Sequence, residues 1–321
     1  MTVLRFLGNL LLAIILILVI ASTLFTASAI VLSETWEELG LDDGVENGNW
    51  AWIDEQPIYY ETLGPEEGPL AVLVHGFYVE GSQTWEGNVQ GLIRSGIRVI
   101  AVDLKGFGHS VRDTSPAYTL RNQAVLLATL LNQLHVGGAT VIAHGWGASV
   151  ALQLASEQPQ FVGQLALVAP TVYREGMPLW EPVARVPYLG AAAAWCIDSG
   201  GPLWTLLRRH GFYDKSAVTG TYLADARRPT HIVGTIEALL AMARSPKDSD
   251  LPQAIANIEV PTLILLGEED PWVPVEDGRR LKRELGDARL VIIPEAGHYV
   301  HIEQSLQVNR QLAEFCAQSA R

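Results

Sequence analysis

The sequence predicts an α/β fold: a mostly parallel central sheet with helices on both faces, a helical insertion, and one membrane-length helix at the N-terminus. Three observations carry this. Short continuous apolar runs alternate with segments of helical spacing, the pattern of strands buried on both faces. The alternation stops between Pro170 and about Ile258 and then resumes. The chain also opens on an almost unbroken apolar run from Leu10 to Leu32.

That first run has the length of a membrane-spanning helix, about 20 residues. Ser22, Thr23, Thr26 and Ser28 are its only mild polar breaks. Arg5 precedes it, and Glu34, Glu37, Glu38, Asp42 and Asp43 follow. The positive-inside rule then places the globular part outside the cytoplasm on a single-pass anchor spanning residues 1–33. The rival reading is a signal segment cleaved at Ala27-Ser-Ala29, giving a secreted protein. Residues 34–48 are acidic and Gly-containing, and read as a linker.

The core begins at residue 49. Asn49 to Ile53 and Ile58 to Leu63 form a β-hairpin around Asp54-Glu-Gln-Pro57. Leu70 to Val74 is an apolar strand, Val89 to Ser95 a short helix, and Val99 to Leu104 another strand. Leu120 to Leu134 has helical spacing of Leu, Val and Ala. Ala139 begins a strand that runs into a sharp turn and a helix ending near Gln158, and Gln164 to Ala169 closes the first part of the core at residue 170. Residues 171–258 form the insertion, which holds Trp180, Trp195, Trp204, Ala191 to Ala194, Gly200-Gly-Pro202 and a helix over Thr230 to Arg244; its apolar residues together suggest a roof over a site. The second part, 259–321, adds strands at Thr262 to Leu266 and Leu290 to Ile293 and a helix from Ser305 to Gln318.

Composition narrows the function. A net charge of −13 without a basic stripe excludes a nucleic-acid partner. Cys196 and Cys316 give neither a CxxC motif nor metal spacing; two buried thiols or one disulfide both fit. No cluster has metal-ligand spacing and no Gly-rich loop is placed to cradle phosphate, so no cofactor or metal is expected.

Five motifs occur in a telling order. They are His75-Gly-Phe77, Asp103-Leu-Lys-Gly-Phe-Gly-His-Ser110, Ala143-His-Gly-Trp-Gly147, Gly267-Glu-Glu-Asp270 with Pro274 beyond, and Gly297-His298 running to His301 and Glu303. Together, across roughly Asn49 to Gln318, they resemble the α/β-hydrolase superfamily of esterase- and lipase-like type. In that family G-x-S-x-G puts a nucleophile on a strained turn after a central strand, and the chain order is nucleophile, acid, histidine. The resemblance implies Gly145 at the nucleophile position, Asp270 as the acid and His298 as the base. It implies an oxyanion hole from the backbone N–H groups of Phe77 and Trp146, and it makes residues 171–258 a helical lid inserted after the sixth strand. His144, His109, Ser110, His301 and Glu303 take supporting places; His135, His210 and His231 have no assignable partner. Ser149 lies one helical turn beyond the elbow, too far to replace a nucleophile.

The departure is Gly145 itself, where the family carries Ser or Asp. Glycine adopts the strained elbow conformation freely and removes the attacking atom. Ester hydrolysis is therefore expected to be absent or weak, with an apolar ester or lipid-like ligand as the expected partner beneath the lid. Two alternatives stay open. One is a non-catalytic ligand- or partner-binding module, for which the N-myc downstream-regulated family is a precedent. The other is an enzyme whose Asp270–His298 dyad acts through water, or a descendant of an Asp-nucleophile epoxide hydrolase or dehalogenase, with lid tyrosines Tyr173, Tyr188, Tyr213 and Tyr222 in reach of an epoxide.

Overall fold

The computed structural model describes residues 2–77, 80–115, 117–173, 180–186, 190, 192–194, 202–246 and 251–318. Tyr188, Ala191, Trp195, Cys196, Gly200 and Gly201, singled out above, lie outside them, and nothing is described of the Trp180 side chain.

The described residues form an eight-stranded sheet in the order β1-β2-β4-β3-β5-β6-β7-β8. The strands are β1 (Asn49–Ile53), β2 (Gln56–Leu63), β3 (Leu70–Val74), β4 (Arg98–Val102), β5 (Ala139–His144), β6 (Val162–Val168), β7 (Thr262–Gly267) and β8 (Ala288–Ile293). β1 and β2 are antiparallel to each other, β2 is antiparallel to β4, and every later pairing is parallel. The hairpin turn is tighter than expected. Asp54 and Glu55 both take positive φ (47° and 66°), the geometry of a two-residue hairpin loop, so Gln56 and Pro57 already belong to β2 and face Ile53 and Trp52.

The continuous apolar runs follow from burial on two faces. On β3, Val72 and Val74 point into one core with α3 (Leu120–Gln133) and α4 (Gly145–Glu157). Ala71 and Leu73 point into the other, with α2 (Glu86–Arg94) and the last helix, Ser305–Cys316. Helix α3 starts where Thr119 accepts a hydrogen bond from the Asn122 amide.

Between β6 and β7 the chain leaves the sheet for a helical insertion. Its described helices are α5 (Trp180–Ala184), α6 (Pro202–Gly211), α7 (Gly220–Arg227), α8 (Thr235–Arg244) and α9 (Leu251–Ala256). The helix expected from Thr230 begins at Thr235, because Arg228–His231 is a separate 3-10 turn and Gly234 turns left-handed at φ 90°. After β7 comes α10 (Val275–Glu284), which sequence reading missed, then α11 (Val300–Glu303) and α12 (Ser305–Cys316).

At the other end, α1 runs unbroken from Thr2 to Trp36, past the expected end at Leu32. Its stretch Leu11–Ser28 has a mean hydropathy of 2.6 and none of it is buried, a profile common to a spanning helix and a signal segment. The expected linker is docked along much of its length. Trp36 donates from Nε1 to Thr230 and stacks on His231 at 4.1 Å, Leu39 bridges Ile232, and the Leu41 carbonyl meets His109 Nδ1 at 2.6 Å. His231, left without a partner above, has one in Trp36.

Candidate active site

The site lies where β3, β5 and β7 end and where the loop after β8 returns. β5 delivers His144 in extended conformation; Gly145 then turns with φ +53° and starts α4. A left-handed residue with a Cβ is strained by about 1–2 kcal/mol, which a glycine avoids. Gly147 is required for a different reason: a Cβ there would come within 2.1 Å of the His75 carbonyl oxygen. The helix start and the β3 loop can approach only over a bare backbone.

Asp270, just past β7, accepts hydrogen bonds on Oδ1 from the Trp272 amide (2.8 Å) and the Val273 amide (2.9 Å). Its Oδ2 meets His298 Nδ1 at 2.8 Å. With the carboxylate fixed on both oxygens, the imidazole is held with Nδ1 protonated and Nε2 free to accept a proton. The His298 amide donates to the Gly211 carbonyl at 2.7 Å, so the end of α6 also fixes this loop. A Cβ on Gly145 would stand 3.4 Å from His298 Nε2 and 3.7 Å from Gly76 Cα. The structure thus brings Gly145, Asp270 and His298 together, with the base aimed at the residue that carries no side chain.

Phe77 and Trp146 flank the same spot, their rings 5.8 Å apart edge to face, with Phe107 against both. Trp146 is the second residue of α4, so its N–H is one of the helix-terminal donors that lack an intrahelical acceptor. Ser149 is turned away, its hydroxyl 3.4 Å from the Thr171 carbonyl.

The supporting residues do specific work. His75 Nε2 accepts from the Leu104 amide at 2.9 Å and its Nδ1 side faces the Gly76 carbonyl at 2.6 Å, joining the β3 loop to the end of β4. Asp103 accepts from the Ser82 and His109 amides, while Ser110 donates to the Asp103 carbonyl and accepts from the Tyr59 amide. His144 Nε2 meets the His298 carbonyl at 3.0 Å, and its ring packs 4.3 Å from that of His301. His301 pairs with Thr84 at 3.2 Å. Burial, with the neighbouring imidazoles adding to it, holds the His144 pKa well below the usual histidine range and the His301 pKa down to about 3. Both are neutral struts. Glu303 accepts from the amides of Gly297, Tyr213 and Asp214, tying the histidine loop to the insertion.

One group escaped sequence reading. Arg208 on α6 and Glu80 after the β3 loop form a buried ion pair, and Arg208 also donates to the Tyr299 hydroxyl at 3.0 Å. The partners come from segments far apart in the chain, and neither sits in a motif. Of the aromatics expected in a lid, Trp204 is buried, Tyr173 donates to Glu284, Tyr213 is exposed, and Tyr222 packs edge to face on Phe212. Cys316 is a free buried thiol, its pKa pushed up by burial to about 11. Among the described residues no group of three or more His, Cys, Asp or Glu side chains could hold a metal ion. A cavity of about 200 Å³ lined by Thr62, Arg98 and His135 lies at the opposite end of the strands and does not touch the dyad.

Comparison with known proteins shows the family and the fold. Residues 71–311 match the model of the alpha/beta hydrolase family. The uncharacterized hydrolase YugF of Bacillus subtilis is 26% identical over 264 residues, 82% of this chain and 95% of that protein. The 2-hydroxy-6-oxo-6-phenylhexa-2,4-dienoate hydrolase of Comamonas testosteroni is 27% identical over 276 residues, 81% of this chain and 91% of that one. Among solved structures, the meta-cleavage product hydrolase from Pseudomonas fluorescens IP01 superposes with a TM-score of 0.71 at 22% identity, over 85% of this chain and 99% of that chain.

Proposed function

Because the chain belongs to the alpha/beta hydrolase family, we propose that it is a membrane-tethered member that binds an apolar ester or lipid-like carbonyl compound beneath its lid, with covalent ester hydrolysis lost at Gly145. The observation that carries this reading is the pairing of a complete base with a missing nucleophile. His298 is oriented by Asp270 and aimed at Gly145, yet no oxygen stands there to attack a carbonyl. An acyl-enzyme cannot form without that atom. Binding does not need it, and neither does polarisation of a carbonyl by the backbone donors expected at Phe77 and Trp146. The relative from Comamonas testosteroni is named for a phenyl-substituted oxo-dienoate, which supports a carbonyl compound with an apolar group as the ligand class.

The tether rests on the apolar stretch Leu11–Ser28 and on the unbroken helix that carries it, with Arg5 before it and acids after it. The globular part then lies outside the cytoplasm. Alkaline extraction of membranes from cells making the full chain tests this. The protein is expected to stay with the membrane, and a soluble form beginning near Ile30 would refute it. For the ligand, the full chain in detergent is titrated with short- and long-chain nitrophenyl esters. Saturable binding without a burst of nitrophenol is expected, and a stoichiometric burst would sink the loss of covalent chemistry.

A second reading is favoured by the same hydrogen bonds. The doubly anchored Asp270 leaves His298 Nε2 as a competent general base, able to activate water or remove a proton from the ligand. Slow turnover without a burst, abolished by His298→Ala, would establish it in place of a pure binding role.

A further inference from the structure

The tether and the insertion meet without slack. The apolar run ends at Leu32 and the helix continues to Trp36. At 1.5 Å per residue, Trp36 stands only about 6 Å beyond the end of the apolar run. A headgroup layer is about 5–8 Å deep on each side of the hydrocarbon. If the helix spans a bilayer, Trp36 therefore lies among headgroups, a depth that tryptophan favours.

Trp36 is fastened to the insertion there. It donates from Nε1 to Thr230 at 3.1 Å, its ring stacks on His231, and its carbonyl meets His231 Nδ1 at 3.0 Å. The Arg227 guanidinium lies 5.2 Å from the Trp36 ring. The next residue, Glu37, accepts from the amides of Gly234 (2.9 Å) and Ile236 (2.7 Å), capping α8 where Gly234 offers no side chain. Leu39 then exchanges backbone hydrogen bonds with His231 and Val233. Residues 228–236 thus cannot move away from the membrane end of α1 without breaking this whole set.

We propose that this face of the insertion, around Arg227, Arg228 and Val233, rests in the lipid headgroup layer. Val233 is 60% exposed beside the docked segment, an apolar side chain with a lipid surface to enter. Against Arg227 and Arg228 the docked segment carries the exposed acids Glu38, Asp42 and Asp43, so the face is mildly acidic and fits a zwitterionic surface better than an anionic one. The inference rests on the tethered reading and refines its substrate class to an ester that already resides in the outer leaflet.

The test uses the full chain in phosphatidylcholine nanodiscs, with Cys196→Ser to lower background labelling. Val233→Cys carries an environment-sensitive fluorophore, and Leu306→Cys, exposed on the last helix, carries the same label as a reference. Phosphatidylcholine spin-labelled at its headgroup is expected to quench the label at 233 several-fold more than the label at 306. A flexible Gly-Ser insert after Ser33 should reduce quenching at 233 while leaving the protein in the disc. Equal quenching at the two positions in a membrane-bound protein overturns the proposal and leaves the tether standing. Failure to enter the disc, with the chain recovered in the soluble fraction, overturns both.

Discussion

The imidazole of His144 reaches the backbone carbonyl of His298 at 3.0 Å, so the residue just before the elbow holds the loop that carries the base. A carbonyl only accepts, so His144 donates from Nε2, and the ring is neutral with that nitrogen protonated. Its burial and the neighbouring His301 and His298 keep it so. The elbow thus supplies a turn and a strut from adjacent residues.

The strut gives a pH prediction. His144 and His301 have folded pKa values depressed below the usual 6.5, to about 3 for His301. Below 6.5 the unfolded chain binds more protons than the folded one, so their contribution is complete above pH 6.5 and is lost as pH falls, for His301 down to about 3. His301 adds a slope of about 1.4 kcal/mol per pH unit between those limits, and His144 adds in the same direction. Thermal unfolding from pH 7.5 to 4.5 should show Tm falling on the acid side, and His301→Asn should flatten the fall. An unchanged slope in that variant would remove His301 from the account.

Gly145→Ser restores the one missing atom. Ester hydrolysis should rise by orders of magnitude, with an acyl-enzyme burst, since loss of one triad member leaves only about 10³–10⁴ over water. Stability should fall by about 1 kcal/mol because a Cβ now sits at φ +53°. Gly145→Ala should show the stability loss alone. Equal activity in the two variants would mean the pocket no longer presents a carbonyl to the elbow.

Asp270→Asn, placed on Gly145→Ser, separates orientation from packing. The amide can still accept from the Trp272 and Val273 amides but cannot hold the imidazole in its working tautomer. Activity should drop by roughly 10⁴-fold with little change in Tm. Asp270→Ala should lose about 1–3 kcal/mol as well, because two buried donors lose their acceptor.

Glu37→Ala should uncap α8. The expected cost is about 0.5–2 kcal/mol, read as faster amide exchange across residues 235–240 with the exchange of β5 and α4 unchanged. Exchange that stays slow in α8 would show that the segment after Trp36 does not hold the insertion in place.

Much of the core was legible in advance because its strands are buried on both faces and read as unbroken apolar runs with clear ends. Leu70–Val74 and the elbow strand needed no tertiary information. Helix α10 was not legible: within VEDGRRLKRE only Val275 and Leu281 are apolar, too few to show a face. Its charges were a usable signal, with Glu276 and Asp277 at the start and Lys282 and Arg283 at the end. The docked segment after α1 left no local trace, since Glu37 looks like any linker acid until Gly234 and Ile236 arrive nearly 200 residues later. The Arg208–Glu80 pair was hidden for the same reason. The elbow, Asp270 and His298 could be named because motif order survives where long-range contacts do not.

The clasp between Trp36 and Thr230 joins residues 194 positions apart. Synthesis of the intervening chain takes roughly 10–40 s. During that interval the first helix is complete and free to enter a bilayer, while the segment behind it has nothing to hold. If the helix enters the bilayer then, as the tethered reading requires, the domain assembles next to a surface to which it is already attached. The clasp forms only after most of the polypeptide exists, and the strand and loop that supply Asp270 and His298 are made later still.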